Sequence, residues 1–209
     1  MNSVSTQCYL VFCRAIADYH FFDDVDRIVD NPYPEYSRDG MLYAKSWIDT
    51  VQWHLEDLIR DPDIDSRVGM MIKRRIDRLN QQRTDMVEAL DDHIMGPYKE
   101  VIPDSNARCN TESAGWAIDR LSILCLKEYH VEAELRRADA SPEHLRHCTG
   151  RKEILLRQKA YLMRSIDELI RDISGGKAIA QVYKQMKMYN DQELNPVLYG
   201  KVSPVDAKL

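Results

Sequence analysis

The chain has 209 residues, 44% of them hydrophobic and 30% charged, with a formal net charge of −5. That balance belongs to a folded globular protein long enough for one proper core and excludes a disordered chain. It also argues against a dedicated nucleic-acid binder, which needs a basic stripe; the one basic cluster, Lys73, Arg74 and Arg75, is followed by Asp77 and Asp85.

No run approaches the roughly 18 apolar residues that span a bilayer, and "CYLVFC" at 8–13 lacks the basic start and small-residue cleavage site of a signal peptide. The five cysteines, at 8, 13, 109, 125 and 148, form no CxxC pair. A reduced, cytoplasmic protein is expected. Gly and Pro fall mostly between long segments rich in Leu, Ile, Arg, Lys and Glu. The expected class is therefore all-α: a single helical bundle of about six helices over 1–200, with a flexible tail at 201–209.

The first helix is expected over 4–28, ended by "NPYPEYSRDG". A second covers 41–60 with a stripe of Trp47, Ile48, Val51 and Leu55, and "DPDID" breaks it. The third covers 66–95, stopped by Gly96 and Pro97. Arg83 stands on its apolar stripe where a hydrophobic residue belongs. The fourth covers 113–138 and is apolar almost all round, so it should be central, yet Asp119, Ser122 and His130 interrupt it. Ser141, Pro142 and Glu143 open the fifth as N-cap, first-turn proline and first-turn acid. That helix should run to Gly175 and Gly176, with a break expected near Thr149 and Gly150. A sixth, over 178–189, would either cover the core or pair with a second copy, which leaves a homo-oligomer open.

Polar residues edging these stripes mark a candidate ligand site. They are Trp53, Glu56 and Arg60 of the second helix, Asp77, Asn80, Arg83 and Glu88 of the third, and Asp119 and His130 of the fourth. Carboxylates and arginines set beside a core are costly unless paired, so they form either an ion-pair network or a binding site. The short "DPDID" connection points to antiparallel packing of the second and third helices, an arrangement in which their polar lines face each other or the fourth helix.

The patterns W-x-x-E-D-x-x-R (Trp53, Glu56, Asp57, Arg60) and I-D-x-x-N-Q-x-R-x-D-x-x-E (Ile76, Asp77, Asn80, Gln81, Arg83, Asp85, Glu88) resemble the bacterial domain of unknown function 4254 family. "NPY", "ILCLKEYH" and "GKAIAQVYKQMKMYNDQELNP" extend the resemblance over nearly the whole chain. It implies an α-helical bacterial protein of unestablished activity and supplies no catalytic residue and no cofactor.

Sharper motifs lose to plainer readings. Glu88 and Asp91 are similar to half of the Mg²⁺ pattern of all-α nucleotide pyrophosphohydrolases, but the upstream E-x-x-E is missing, and no metal is expected beyond that incomplete pair. His130 and Glu134 stand one turn apart, a spacing more often explained by a His bonded to a neighbouring acid. His144, His147 and Cys148 lack the second ligand pair of a structural zinc site. The expectation is thus a polar small molecule, phosphate- or sugar-bearing, in a charged pocket between helices. The alternatives are a structural or interaction module whose buried polar network only fixes packing, and a Mg²⁺-dependent pyrophosphohydrolase-like enzyme. Neither nucleic acid nor membrane is expected as a partner, and whether chemistry occurs is left open.

Overall fold

The computed structural model describes residues 3–189 and 191–200. Five α-helices account for most of them: α1 (Val4–Phe22), α2 (Arg38–Leu58), α3 (Ser66–Met95), α4 (Ala114–Leu135) and α5 (Pro142–Ser174). A single 3₁₀ turn, Gly96–Tyr98, follows α3 at Pro97. Among the described residues there is no strand, only one isolated bridge between Arg108 and Ala178. Among the described residues no helix is long and apolar enough to cross a membrane.

Each helix begins on a side-chain cap that satisfies backbone N–H groups the first turn cannot pair internally. Ser3, Ser37, Asp65, Ser113 and Ser141 serve as these caps. The first helix stops at Phe22, six residues short of the expected end, because Asp23 takes a left-handed conformation (φ 48°) and closes the last turn onto Tyr19 O at 2.9 Å. α2 starts three residues early because Ser37 Oγ accepts from Gly40 N at 3.0 Å. α5 runs unbroken through Thr149 and Gly150; Thr149 Oγ1 bonds back to Leu145 O at 2.8 Å.

The expected sixth helix does not form. Gly176, at φ 74°, turns the chain back after α5, and residues 177–189 run as an extended strap across α3 and α4. Partners elsewhere replace helical hydrogen bonds. Arg108 N bonds Lys177 O at 3.0 Å and Ile179 N bonds Arg108 O at 3.0 Å. Farther along, Trp116 Nε1 donates to Tyr183 O (3.3 Å) and Gln185 N to Glu88 Oε1 (2.9 Å). Lys187 Nζ reaches Asn80 O at 2.9 Å. These bonds to other elements hold the strap extended in place of i→i−4 bonds. Residues 201–209, read from sequence as a tail, lie outside the described residues, as does position 190.

α4 packs against each of the other four helices, and the core gathers round it: Ile118, Leu121 and Leu126 meet Phe12, Ile16, Leu42, Leu55, Leu90 and Ile166, all at most 2% exposed. α3 and α4 approach unusually closely at Gly115, where a Cβ would meet Val87 O and Asp91 Cγ at 2.8 Å. The antiparallel setting of α2 and α3 is visible in their cross-links, Asp49 to Arg83 and Gln52 to Asn80, whose numbers run in opposite directions.

Candidate functional site

α2 buries polar side chains as well as apolar ones. Lys45 is fully buried, and Ser46, Asp49 and Thr50 lie with it beneath α4. A buried cation is tolerated only with close anions. Lys45 Nζ donates to Asp49 Oδ2 at 2.6 Å and lies 2.7 Å from Asp119 Oδ1. Arg83 completes the cluster: its Nε donates to Asp119 Oδ1 at 2.9 Å, its second bond reaches Asp119 Oδ2, and Nε lies 3.2 Å from Asp49 Oδ1. Ser122 Oγ donates to Asp49 Oδ2 at 2.6 Å. Two cations thus face two anions, and the assembly is neutral.

The two acids respond differently to this setting. Burial raises the Asp49 carboxyl above its ordinary value, against the pull of Lys45. Burial also works to raise Asp119, but Lys45 and Arg83 outweigh it and hold that carboxyl below the usual range, as its bidentate contact with Arg83 requires.

A cleft of about 270 Å³ opens beside the network, between α2, α3 and α4. Arg83, with about a quarter of its side chain exposed, forms its inner wall. Trp53, Glu56 and Arg60 line it as well, with Ile123 and Leu126 from α4. Arg60 pairs with Glu56 at 3.2 Å. At the cleft Gln52 Oε1 is buried without a hydrogen-bond partner, and Asp49 Oδ1 has only its 3.2 Å ion-pair contact with Arg83 Nε. The Gln52 amide is anchored at its other end, where Nε2 donates to Asn80 Oδ1 at 2.9 Å.

Of the nine residues singled out in the sequence, the structure therefore brings Trp53, Glu56, Arg60 and Arg83 to one cleft, with Asp119 behind Arg83 and Asn80 joined through Gln52. Asp77 is elsewhere, exposed and paired with Lys73. Glu88 faces the strap, accepting from Gln185 N and lying 3.5 Å from Lys184 Nζ. Asp91, its neighbour in the incomplete Mg²⁺ pattern, is fully buried and turned to the start of α4, where it accepts from Ser113 Oγ and from Gly115 N at 2.7 Å. Burial raises its carboxyl against those two bonds. The two acids serve different neighbours, which leaves the pyrophosphohydrolase reading without a paired carboxylate site.

His130 stands on the far side of Trp53, its ring stacked on the indole at 4.6 Å and 9°. It belongs to a group that sequence spacing could not reveal, with His20 from the end of α1 and His54 from α2. Burial lowers the pKa of His20. Burial, with His20 and His54 behind it, takes His130 from 6.5 down to about 4. Nearby, His144 Nε2 lies 2.8 Å from Glu134 Oε2 and 3.4 Å from Cys148 Sγ. One nitrogen contacts both, whereas a nucleophile-activating His needs the acid on its other ring nitrogen.

A family model described as "Protein of unknown function (DUF4254)" matches residues 39–182. The chain belongs to this DUF4254 family. The matched stretch runs from the start of α2 into the strap and includes the whole cleft. No curated protein and no solved structure matches the chain.

Proposed function

We propose that this DUF4254 protein binds a small, hydroxyl-rich molecule of the sugar class in the cleft between α2, α3 and α4. The observation that carries this reading is Gln52 Oε1, a buried acceptor without a partner at the cleft, beside Asp49 Oδ1, whose one contact is the Arg83 Nε ion pair at 3.2 Å. A buried acceptor without a donor costs about 1–3 kcal/mol. Such an acceptor at a cleft fits a ligand that brings its own donor, as a sugar hydroxyl does. Trp53, Ile123 and Leu126 offer apolar surface to the C–H face of such a ring.

Charge favours the hydroxyl-rich ligand over a phosphate. Asp49, Glu56 and Asp57 oppose only Arg60 and Arg83 in the lining, and both arginines are already paired. The volume falls just below the roughly 300–1,000 Å³ of pockets for drug-sized ligands, which sets the ligand near a monosaccharide. The structural alternative applies to the network behind the cleft: Lys45 and Arg83 with Asp49 and Asp119, joined by Ser122, are a neutral bonded set whose work is packing. The expected setting is a bacterial cytoplasm, its bacterial part resting on the family resemblance and its reducing part on five free cysteines.

A thermal-shift panel of monosaccharides, sugar phosphates and nucleotides tests the proposal. A ligand at about 100 times its Kd adds about 2.7 kcal/mol to stability, which for a chain of this size raises Tm by roughly 5–10 °C. Neutral sugars are expected to produce that shift. A response confined to phosphorylated compounds, or no response in any class, contradicts it.

A further inference from the structure

We infer that His20, His54 and His130 form a binding site for a first-row divalent metal ion of the Zn²⁺ class. Three different helices deliver these side chains, and one ring nitrogen from each lies within 4.8 Å of the other two. His54 Nε2 and His20 Nε2 are 3.1 Å apart. Two nitrogens bound to one tetrahedral zinc at about 2.0–2.1 Å stand about 3.3 Å apart. Two of the three ligands are thus at coordination spacing, and the third has a ring nitrogen within 4.8 Å of both.

Second contacts orient the donors as a metal site requires. His20 Nδ1 lies 2.7 Å from Ile16 O. A carbonyl only accepts, so Nδ1 carries the proton and Nε2 presents its lone pair to the other histidines, the arrangement that backbone carbonyls impose on metal-bound imidazoles. Each ring is also braced by its own aromatic neighbour: His20 on Tyr129 (3.9 Å), His54 on Tyr19 (5.2 Å) and His130 on Trp53 (4.6 Å).

A plain packing role leaves one fact unexplained. The contact between His20 and His54 satisfies that pair, but His130 Nε2 is buried with no partner. A shared ion engages all three. Three neutral imidazoles suit zinc, cobalt or nickel and disfavour Mg²⁺ and Ca²⁺, which select oxygen. Three protein ligands leave a fourth position open, the arrangement of reactive rather than structural zinc. Asp23, with Oδ1 3.9 Å from His54 Nε2, is the carboxylate beside it.

The test uses the full chain, stripped with chelator and titrated with Co²⁺, whose visible absorption reports tetrahedral nitrogen ligation. One ion per chain is expected, displaced by Zn²⁺. His54→Ala should weaken binding at least about 100-fold, because changes even one shell out cost 10–100-fold. His93→Ala should leave it unchanged. Should the His54 variant not fold, the wild type answers alone: bound Zn²⁺ should protect His20, His54 and His130, but not His93 or His147, from diethylpyrocarbonate, as mapped by mass spectrometry. No binding at millimolar metal, binding that survives His54→Ala, or protection centred on His144 and Cys148 overturns the inference. None of these outcomes depends on the sugar reading.

Discussion

At the residue scale, Lys45 is the side chain whose removal should matter most. Replacing it with Met leaves Asp49 and Asp119 buried against Arg83 alone, and breaking a buried pair in this way costs about 3–5 kcal/mol. Urea denaturation should show that loss for Lys45→Met. The double variant Lys45→Met, Asp49→Leu leaves the Arg83–Asp119 pair neutral and should recover a large part of it. A second residue-scale expectation concerns pH in the metal-free protein. His130 titrates near 6.5 in the unfolded chain and near 4 in the folded one, because burial and then His20 and His54 resist its protonation. The unfolded chain therefore takes up the proton first as pH falls. The stability this group contributes is complete above 6.5 and drains away towards 4, and the lowered pKa of His20 acts in the same direction. Urea midpoints between about pH 7.5 and pH 5 should record a loss on the order of 1–2 kcal/mol, and His130→Phe should lose less.

At the element scale, the close approach of α3 and α4 depends on Gly115. Gly115→Ala pushes a methyl group into Val87 O and the Asp91 carboxylate that caps α4. A loss of about 1–3 kcal/mol is expected in the same urea assay. Helices α2 to α5 were legible in the sequence because their apolar periods and caps are local signals; α3 begins and ends where the spacing placed it. The strap was not legible. Its Ile179, Val182, Tyr183 and Met186 keep helical spacing, but distant partners such as Asn80 O, Asn110 O and Glu88 claim the segment, and tertiary contacts overrode the pattern. Arg83 on an apolar stripe announced a buried ion pair, and it pairs with Asp119 and Asp49. Lys45 gave a weaker signal, an Asp four residues on. His20 and His54 gave none, since only folding brings α1, α2 and α4 together.

At the scale of the whole molecule, α4 touches every other helix, and polar groups of α2 and α3 meet beside it. Their polar groups divide there into an interior set that neutralises itself and a cleft that keeps the Gln52 Oε1 acceptor unpaired. That division is the central claim, and Gln52 tests it most directly. Gln52→Leu removes a buried acceptor that the protein leaves unsatisfied, at the loss of one bond to Asn80. Melting curves of wild type and variant, each with and without the sugar that shifts the wild type, are the decisive measurement. The account predicts a ligand-free Tm within about 3 °C of wild type, equivalent to 1 kcal/mol or less for a chain of this length, and no shift on adding sugar. A Gln52→Leu protein that melts far below wild type yet keeps the full ligand shift would contradict it.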